Sequence, residues 1–306
     1  MKSKHGFWLL LALFVLPGCP PPPPPSPPFL SRSRAIALLN QNNSQAVGWR
    51  LRMKGTWSGS VTDHEGRRTD LSGRFVMQVA MPSGMSFVDR GDGPIPPRLE
   101  AGCNADVVWY WQKYPDDQDC MVIAPRIEAE QGPLPPSVVC FPDLPSGMPL
   151  QPQVLLDGLG LATLDDPESG AAAPRYRIAE NFNQFLFDGT DAEGQPYVLK
   201  EFWLAPFAPH AVERVVYRDL DGRVVFDSKL SDHRPVPDMS LLVARRISLE
   251  LPLVGSRLEL RVNEVRPHAD VDRDVFVDPE TRALNDPGEY MPRVEWLIQP
   301  PADLAP

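Results

Sequence analysis

The chain has little of what enzymes and metal sites are usually built from. Five histidines and four cysteines are spread over 306 residues. There is no CxxC pair, HExxH, GxSxG, P-loop or GxGxxG, so the common zinc, serine-hydrolase and nucleotide-binding signatures are absent. His64, His210, His233 and His268 stand far apart in loop-like contexts, so no base is paired with a nucleophile by spacing. Asp270, Asp272, Asp274 and Asp278 open like a calcium loop. Its sixth and twelfth places are Val275 and Thr281 instead of Gly and Glu, so the stretch reads as a solvated acidic loop. No metal, cofactor or catalytic residue is expected. Positive charge is also short: the formal balance is −10, which argues against nucleic acid as a partner. After residue 19 nothing approaches the roughly 20 apolar residues of a membrane-spanning helix.

What is present begins at the N-terminus. The opening MKSKHGFWLLLALFVLPGC has Lys2 and Lys4 ahead of an apolar run from Phe7 to Leu16. Leu16-Pro17-Gly18-Cys19 resembles the lipobox of bacterial lipoproteins, with Leu three places before the cysteine and a small residue just before it. That resemblance implies a signal peptide over 1–18, cleavage after Gly18, and fatty acylation (palmitate-type chains) on Cys19 as the link to a membrane. One acyl chain holds a protein only marginally, whereas two or three hold it stably. Pro20 to Pro28 is proline broken only by Ser26, so residues 19–33 read as a lipidated cysteine followed by a stiff polyproline spacer. Pro20, where an Asp would signal retention at the inner membrane, favours the outer membrane, on its periplasmic side.

The 37 prolines exclude long helices and favour many strands joined by loops. With Cys19 acylated, Cys103, Cys120 and Cys140 remain; both Cys103–Cys120 and Cys120–Cys140 pairings stay open. A short amphipathic helix is expected over 34–46. Val47, Trp49, Leu51, Met53 and Trp57 then alternate with Arg50, Arg52, Lys54 and Thr56, the pattern of a strand with one buried face. Further strands are expected at 75–81, 107–111, 120–124, 183–187, 197–204, 212–218, 223–228, 241–249 and 257–265. A helical piece is expected at 153–161 and a polar tail beyond about 280. Asp219-Leu220-Asp221-Gly222 marks a hairpin. The total is mainly β (α+β): about ten antiparallel strands whose apolar face must be covered by a second sheet or by the helix and insertion.

This order of elements resembles the LolA/LolB-like superfamily of outer-membrane lipoprotein-sorting proteins, in particular its lipid-anchored divergent members. AIALLNQNN leads into VGWRLRMKGTWSG and GRFVMQVAMPSGMSFV. ADVVWYWQKYP and FWLAPFAPHAVERVVYRDLDGRVVFDSKLSDH follow. The resemblance spans residues 34–280, with 281–306 as a C-terminal tail. It implies an incomplete antiparallel β-barrel closed by helices around a cavity for acyl chains, no enzymatic activity, and lipoprotein clients or another envelope lipid as partners. The concave lining would be Trp49, Leu51, Met53, Trp57, Phe75, Met77, Trp109 and Trp111. The same residues would equally form a filled core, which would make the chain an envelope scaffold or protein-interaction module without a ligand.

Overall fold

The computed structural model describes residues 30–62, 68–82, 84–89, 99–113, 119–125, 152–164, 174–191, 193–253, 255–269, 276 and 293–296. The signal segment, Cys19, the proline spacer, Cys140 and the aspartates from Asp270 to Asp278 lie outside the described residues.

Helix α1 (Arg32–Asn43) begins where Ser31 accepts the Arg34 backbone N–H at 3.3 Å. Ala35, Ile36 and Leu39 are its buried apolar positions, at one-face spacing. A 3-10 turn over Ser44–Ala46 leads into β1 (Arg50–Thr62). The following strands are β2 (Arg68–Ala80), β3 (Gly84–Asp89), β4 (Leu99–Cys103), β5 (Val107–Lys113) and β6 (Asp119–Pro125). Helix α2 (Pro152–Gly158) separates these from β7 (Arg175–Ala179), β8 (Phe182–Thr190), β9 (Pro196–Leu204) and β10 (Val212–Arg218). The remaining strands are β11 (Val224–Pro235), β12 (Leu242–Leu251), β13 (Ser256–His268) and β14 (Arg293–Trp296).

All fourteen strands join one sheet in the order β14-β6-β5-β4-β3-β2-β1-β13-β12-β11-β10-β9-β8-β7. Every pairing is antiparallel except β14 with β6. The count exceeds the ten expected because β3, β4, β7 and β14 carry no clear alternation, and β14 lies in the stretch expected to be a tail.

The sheet is curled. Helix α2 touches β10 and β11 on one side and β3 on the other. Six strand spacings separate β3 from β10, which is about 29 Å in a flat sheet at ~4.8 Å each. A helix is only about 10 Å across, so the strands must wrap around α2. The result is an open half-barrel whose ends, β7 and β14, do not meet in the ladder.

Each half-barrel rim is defined by strand ends. An upper rim holds Arg50, Ala80, Leu204, Val212, Pro235, Leu242 and His268; a lower rim holds Pro196, Arg218, Val224, Leu251 and Ser256. Helix α1 lies at the upper rim, held by three asparagine side chains. Asn42 exchanges two hydrogen bonds with the Leu242 backbone, at 2.7 and 3.2 Å. Asn40 does the same with Leu164, at 2.8 and 2.7 Å. Asn43 donates to the carbonyls of Gly160 and Ala162. The chain leaving α2 is thereby tied beneath α1, and its buried backbone groups are satisfied.

Candidate functional site

Register decides which side chains face inward, because directly paired residues share a face. On β1, Leu51, Met53 and Trp57 pair with Val79, Met77 and Gly73 of β2. Phe75, Met77 and Val79 pair in turn with Asp89, Phe87 and Met85 of β3. Across the other half, Met53 and Trp57 sit beside Val265 and Leu260, and Leu260 beside Ile247. Leu230, Val215, Phe202 and Phe185 continue the same face. All of these apolar residues are buried and belong to one continuous cluster that includes Ile36 and Leu39 of α1 and Val154 and Leu156 of α2.

Aromatic packing shapes the floor. Phe75 stacks on Phe87 at 5.3 Å between ring centroids, and Trp57 meets Phe87 edge-on at 6.4 Å. Trp57 donates its indole N–H to the Asp89 carboxylate at 3.2 Å. Gly73 makes this possible: a Cβ there would fall 2.5 Å from the Asp89 Oδ1 and 2.9 Å from the Trp57 Nε1.

A second polar group sits under α2. Asp157, fully buried, accepts from Lys200 Nζ at 2.9 Å and from the Tyr217 hydroxyl at 2.5 Å, both through Oδ2. Lys200 and Tyr217 are directly paired on β9 and β10. The ammonium also lies 4.9 Å from the Phe187 ring centroid and 5.4 Å from that of Phe202. Ser228 donates to the Gly158 carbonyl at 2.5 Å, and Gly158 lies close against the Phe226 ring. These contacts fix α2 on the floor by polar bonds rather than by apolar packing alone.

Burial, followed by the adjacent Asp157 charge and hydrogen bond, pushes the Tyr217 phenol well above its usual range. The folded chain therefore holds this proton more tightly than the unfolded chain does. Its stabilising contribution is complete below about pH 10 and declines as pH rises past that value. Urea melts at rising pH are expected to show a steeper alkaline loss for the native chain than for Tyr217→Phe. Equal slopes would remove the coupling.

The expected lining divides. Leu51, Met53, Trp57, Phe75 and Met77 come together on the inner face, all nearly or fully buried. Trp49 does not join them. It precedes β1, just after Gly48 at φ +80°, and is 36% exposed at the upper rim. Trp109 is buried but on the opposite face. Its partners are Gly102 and Ile123, whereas the inner positions of β4 are Ala101 and Cys103. Gly102 leaves the space that the Trp109 ring fills. Trp111 occupies the register position two residues along, opposite Glu100 and Met121. The reason is that β5 carries large apolar residues at both parities, so its alternation alone does not reveal which set faces inward.

The backbone also bears on the cysteines. Cys103 pairs with Val108, whereas Cys120 pairs with Gln112, four positions further along β5. That is about 13 Å along the strand before two strand spacings are added, and a disulfide tolerates about 7 Å between Cα atoms. A Cys103–Cys120 bridge is therefore excluded.

Sequence reasoning missed Asp157, Lys200 and Tyr217. The available signal was charge inside two apolar runs, Asp157 alone in VLLDGLGLA and the Lys200-Glu201 pair in YVLKEFWL. Among the described residues no cluster of His, Cys, Asp and Glu could hold a metal ion, and no helix is long and apolar enough to cross a membrane.

No family model matches the chain, and no curated protein matches it. Solved structures do. A LolA superfamily protein from Nitrosomonas europaea is 11% identical with a TM-score of 0.44, covering 80% of this chain and 97% of its own. A putative outer membrane lipoprotein-sorting protein domain from Vibrio parahaemolyticus is 10% identical with a TM-score of 0.43, covering 80% and 97%. A DUF1329 family protein from Desulfovibrio piger is 11% identical with a TM-score of 0.42, covering 80% and 96%.

Proposed function

We propose that the chain is a bacterial lipoprotein, acylated at Cys19, that holds a hydrophobic ligand against the inner face of the half-barrel and catalyses no reaction. The ligand is the acyl portion of a client lipoprotein or of another envelope lipid. The observation that carries this reading is the concave apolar floor, continuous across both halves of the sheet and roofed, among the described residues, by helices of 12 and seven residues. Met53, Met77 and Met85 all contribute to that floor; their unbranched side chains adapt to irregular hydrocarbon. Burying an acyl chain there recovers about 25 cal/mol per Å² taken from water. Pro20, in place of a retention Asp, supports the outer membrane, on its periplasmic side, as the location.

The test is to purify the full mature chain from a bacterial envelope, extract it with organic solvent, and identify by mass spectrometry what is released. Near-stoichiometric lipid beyond the acyl groups of Cys19 is expected. A fluorescent fatty acid should bind the emptied protein, and Met77→Trp, which fills the floor, should weaken it on the order of tenfold, about 1.4 kcal/mol. Trp109→Phe, on the other face, should leave it unchanged. No released lipid and no probe binding would leave a tethered scaffold with a filled core.

A further inference from the structure

We infer that the upper rim of the half-barrel is the surface that lies against the lipid bilayer. This rests on the reading of Cys19 as the membrane anchor. Six large apolar residues are exposed among the described residues, and they are unevenly placed. Val47 (52% exposed) and Trp49 precede β1 at the upper rim, and Phe207 (49%) lies in the β9–β10 turn at the same rim. Ile178 is the penultimate residue of β7, beside the upper-rim start of β8. Only Leu220 and Leu253, in the β10–β11 and β12–β13 turns, mark the lower rim. Trp and Phe on a rim are suited to the boundary between headgroups and acyl chains.

The tether chooses between the rims. The chain enters the fold at Leu30, whose carbonyl lies 2.8 Å from the Tyr176 hydroxyl; that hydroxyl is also 2.7 Å from the side-chain oxygen of Asn183, at the upper-rim start of β8. Leu30 lies eleven residue steps after Cys19, a reach of about 34 Å if the intervening sequence is extended as polyproline II. Beside Leu30, strands β8 and β9 have nine residues each, about 30 Å along their length. Standing on the lower rim would take up nearly all of a fully stretched spacer. Standing on the upper rim leaves the spacer slack.

Charge agrees. The first turn of α1 holds no acidic residue, yet carries Arg32 and Arg34 at the positive end of the helix dipole. Two cations there repel the dipole, and phospholipid phosphates would relieve them. The net negative charge of the chain is no obstacle, because screening limits interactions to roughly 10 Å.

The deciding experiment places the mature acylated full-length chain in vesicles of phosphatidylethanolamine and phosphatidylglycerol that contain a photoactivatable phospholipid. Crosslinked peptides are then mapped by mass spectrometry. Crosslinks over residues 47–49 and at Phe207 are expected to outnumber those at Leu220 and Leu253 by about tenfold. The triple variant Val47→Ser, Trp49→Ser, Phe207→Ser should lose the upper-rim crosslinks while its thermal melt stays unchanged. Equal labelling of both rims, a lower-rim excess, or no rim labelling overturns the inference. The same spectra keep the readings apart. The acyl mass on Cys19 reports the anchor, and crosslinks at Leu51 or Met77 report a ligand inside. If Cys19 carries no acyl group, the anchor reading fails, and vesicles added to the chain still show which rim is labelled.

Discussion

Asp157→Ala is expected to destabilise the protein by about 3–5 kcal/mol, because it leaves one member of a buried ion pair without its partner. The Lys200 side chain is only 22% exposed, and its ammonium is held between the carboxylate of Asp157 and the rings of Phe187 and Phe202. Removing the carboxylate strands the ammonium and leaves the fully buried Tyr217 hydroxyl without its acceptor. Chemical denaturation should show a lowered midpoint with little change of slope. The comparison that separates a charge effect from lost packing is the triple variant Asp157→Leu, Lys200→Met, Tyr217→Phe. Replacing a whole buried polar group by apolar residues of similar size is often neutral, so this variant should recover most of the loss. If it is as unstable as Asp157→Ala, the polar bonds are not what seats α2. The effect should reach the site as well, since α2 is part of the roof over the apolar floor.

Cys19→Ser should move the protein from the membrane pellet to the soluble fraction almost completely. Serine offers no thiol for the thioether, and without acyl chains the remaining attraction is whatever the upper rim supplies. Each buried methylene contributes about 0.8 kcal/mol, so losing two or three chains outweighs any contact of a few exposed side chains. Fractionation with an alkaline carbonate wash, followed by intact mass measurement, checks this. The native chain should stay in the pellet with acyl mass on its first residue. A variant that pellets equally, or a native chain without added mass, would show that Cys19 is not the anchor.

Much of the sheet was legible because its strands are wet on one face. In β1, Arg52, Lys54, Thr56 and Ser58 separate the buried Leu51, Met53 and Trp57, and the period of two is plain. The β10–β11 hairpin was legible from its turn chemistry. Asp219 accepts the Arg223 backbone N–H at 2.8 Å through its side chain, and Gly222 takes φ +77°. Strand β3 defeated the same reading, since five of its six residues, Gly84 to Phe87 and Asp89, are buried and no alternation survives. Strand β5 was found but its face was misjudged, for Val108 and Trp109 are both buried. The polar group under α2 was invisible for another reason. Lys200 and Tyr217 are 43 and 60 residues from Asp157 along the chain, and the packing of α2 onto neighbouring β9 and β10 brings them together.

Among the described residues the unclosed sheet ends at β7 without a further strand, and this margin is built to refuse company. The strand has only five residues, with exposed arginines at Arg175 and Arg177. Arg175 is bonded to Asp188 and Arg177 to Gln184, both on the adjoining β8. Short length and outward cations are two of the means by which sheet margins avoid recruiting strands from other molecules. Such protection keeps a half-open barrel from seeding a ribbon with copies of itself.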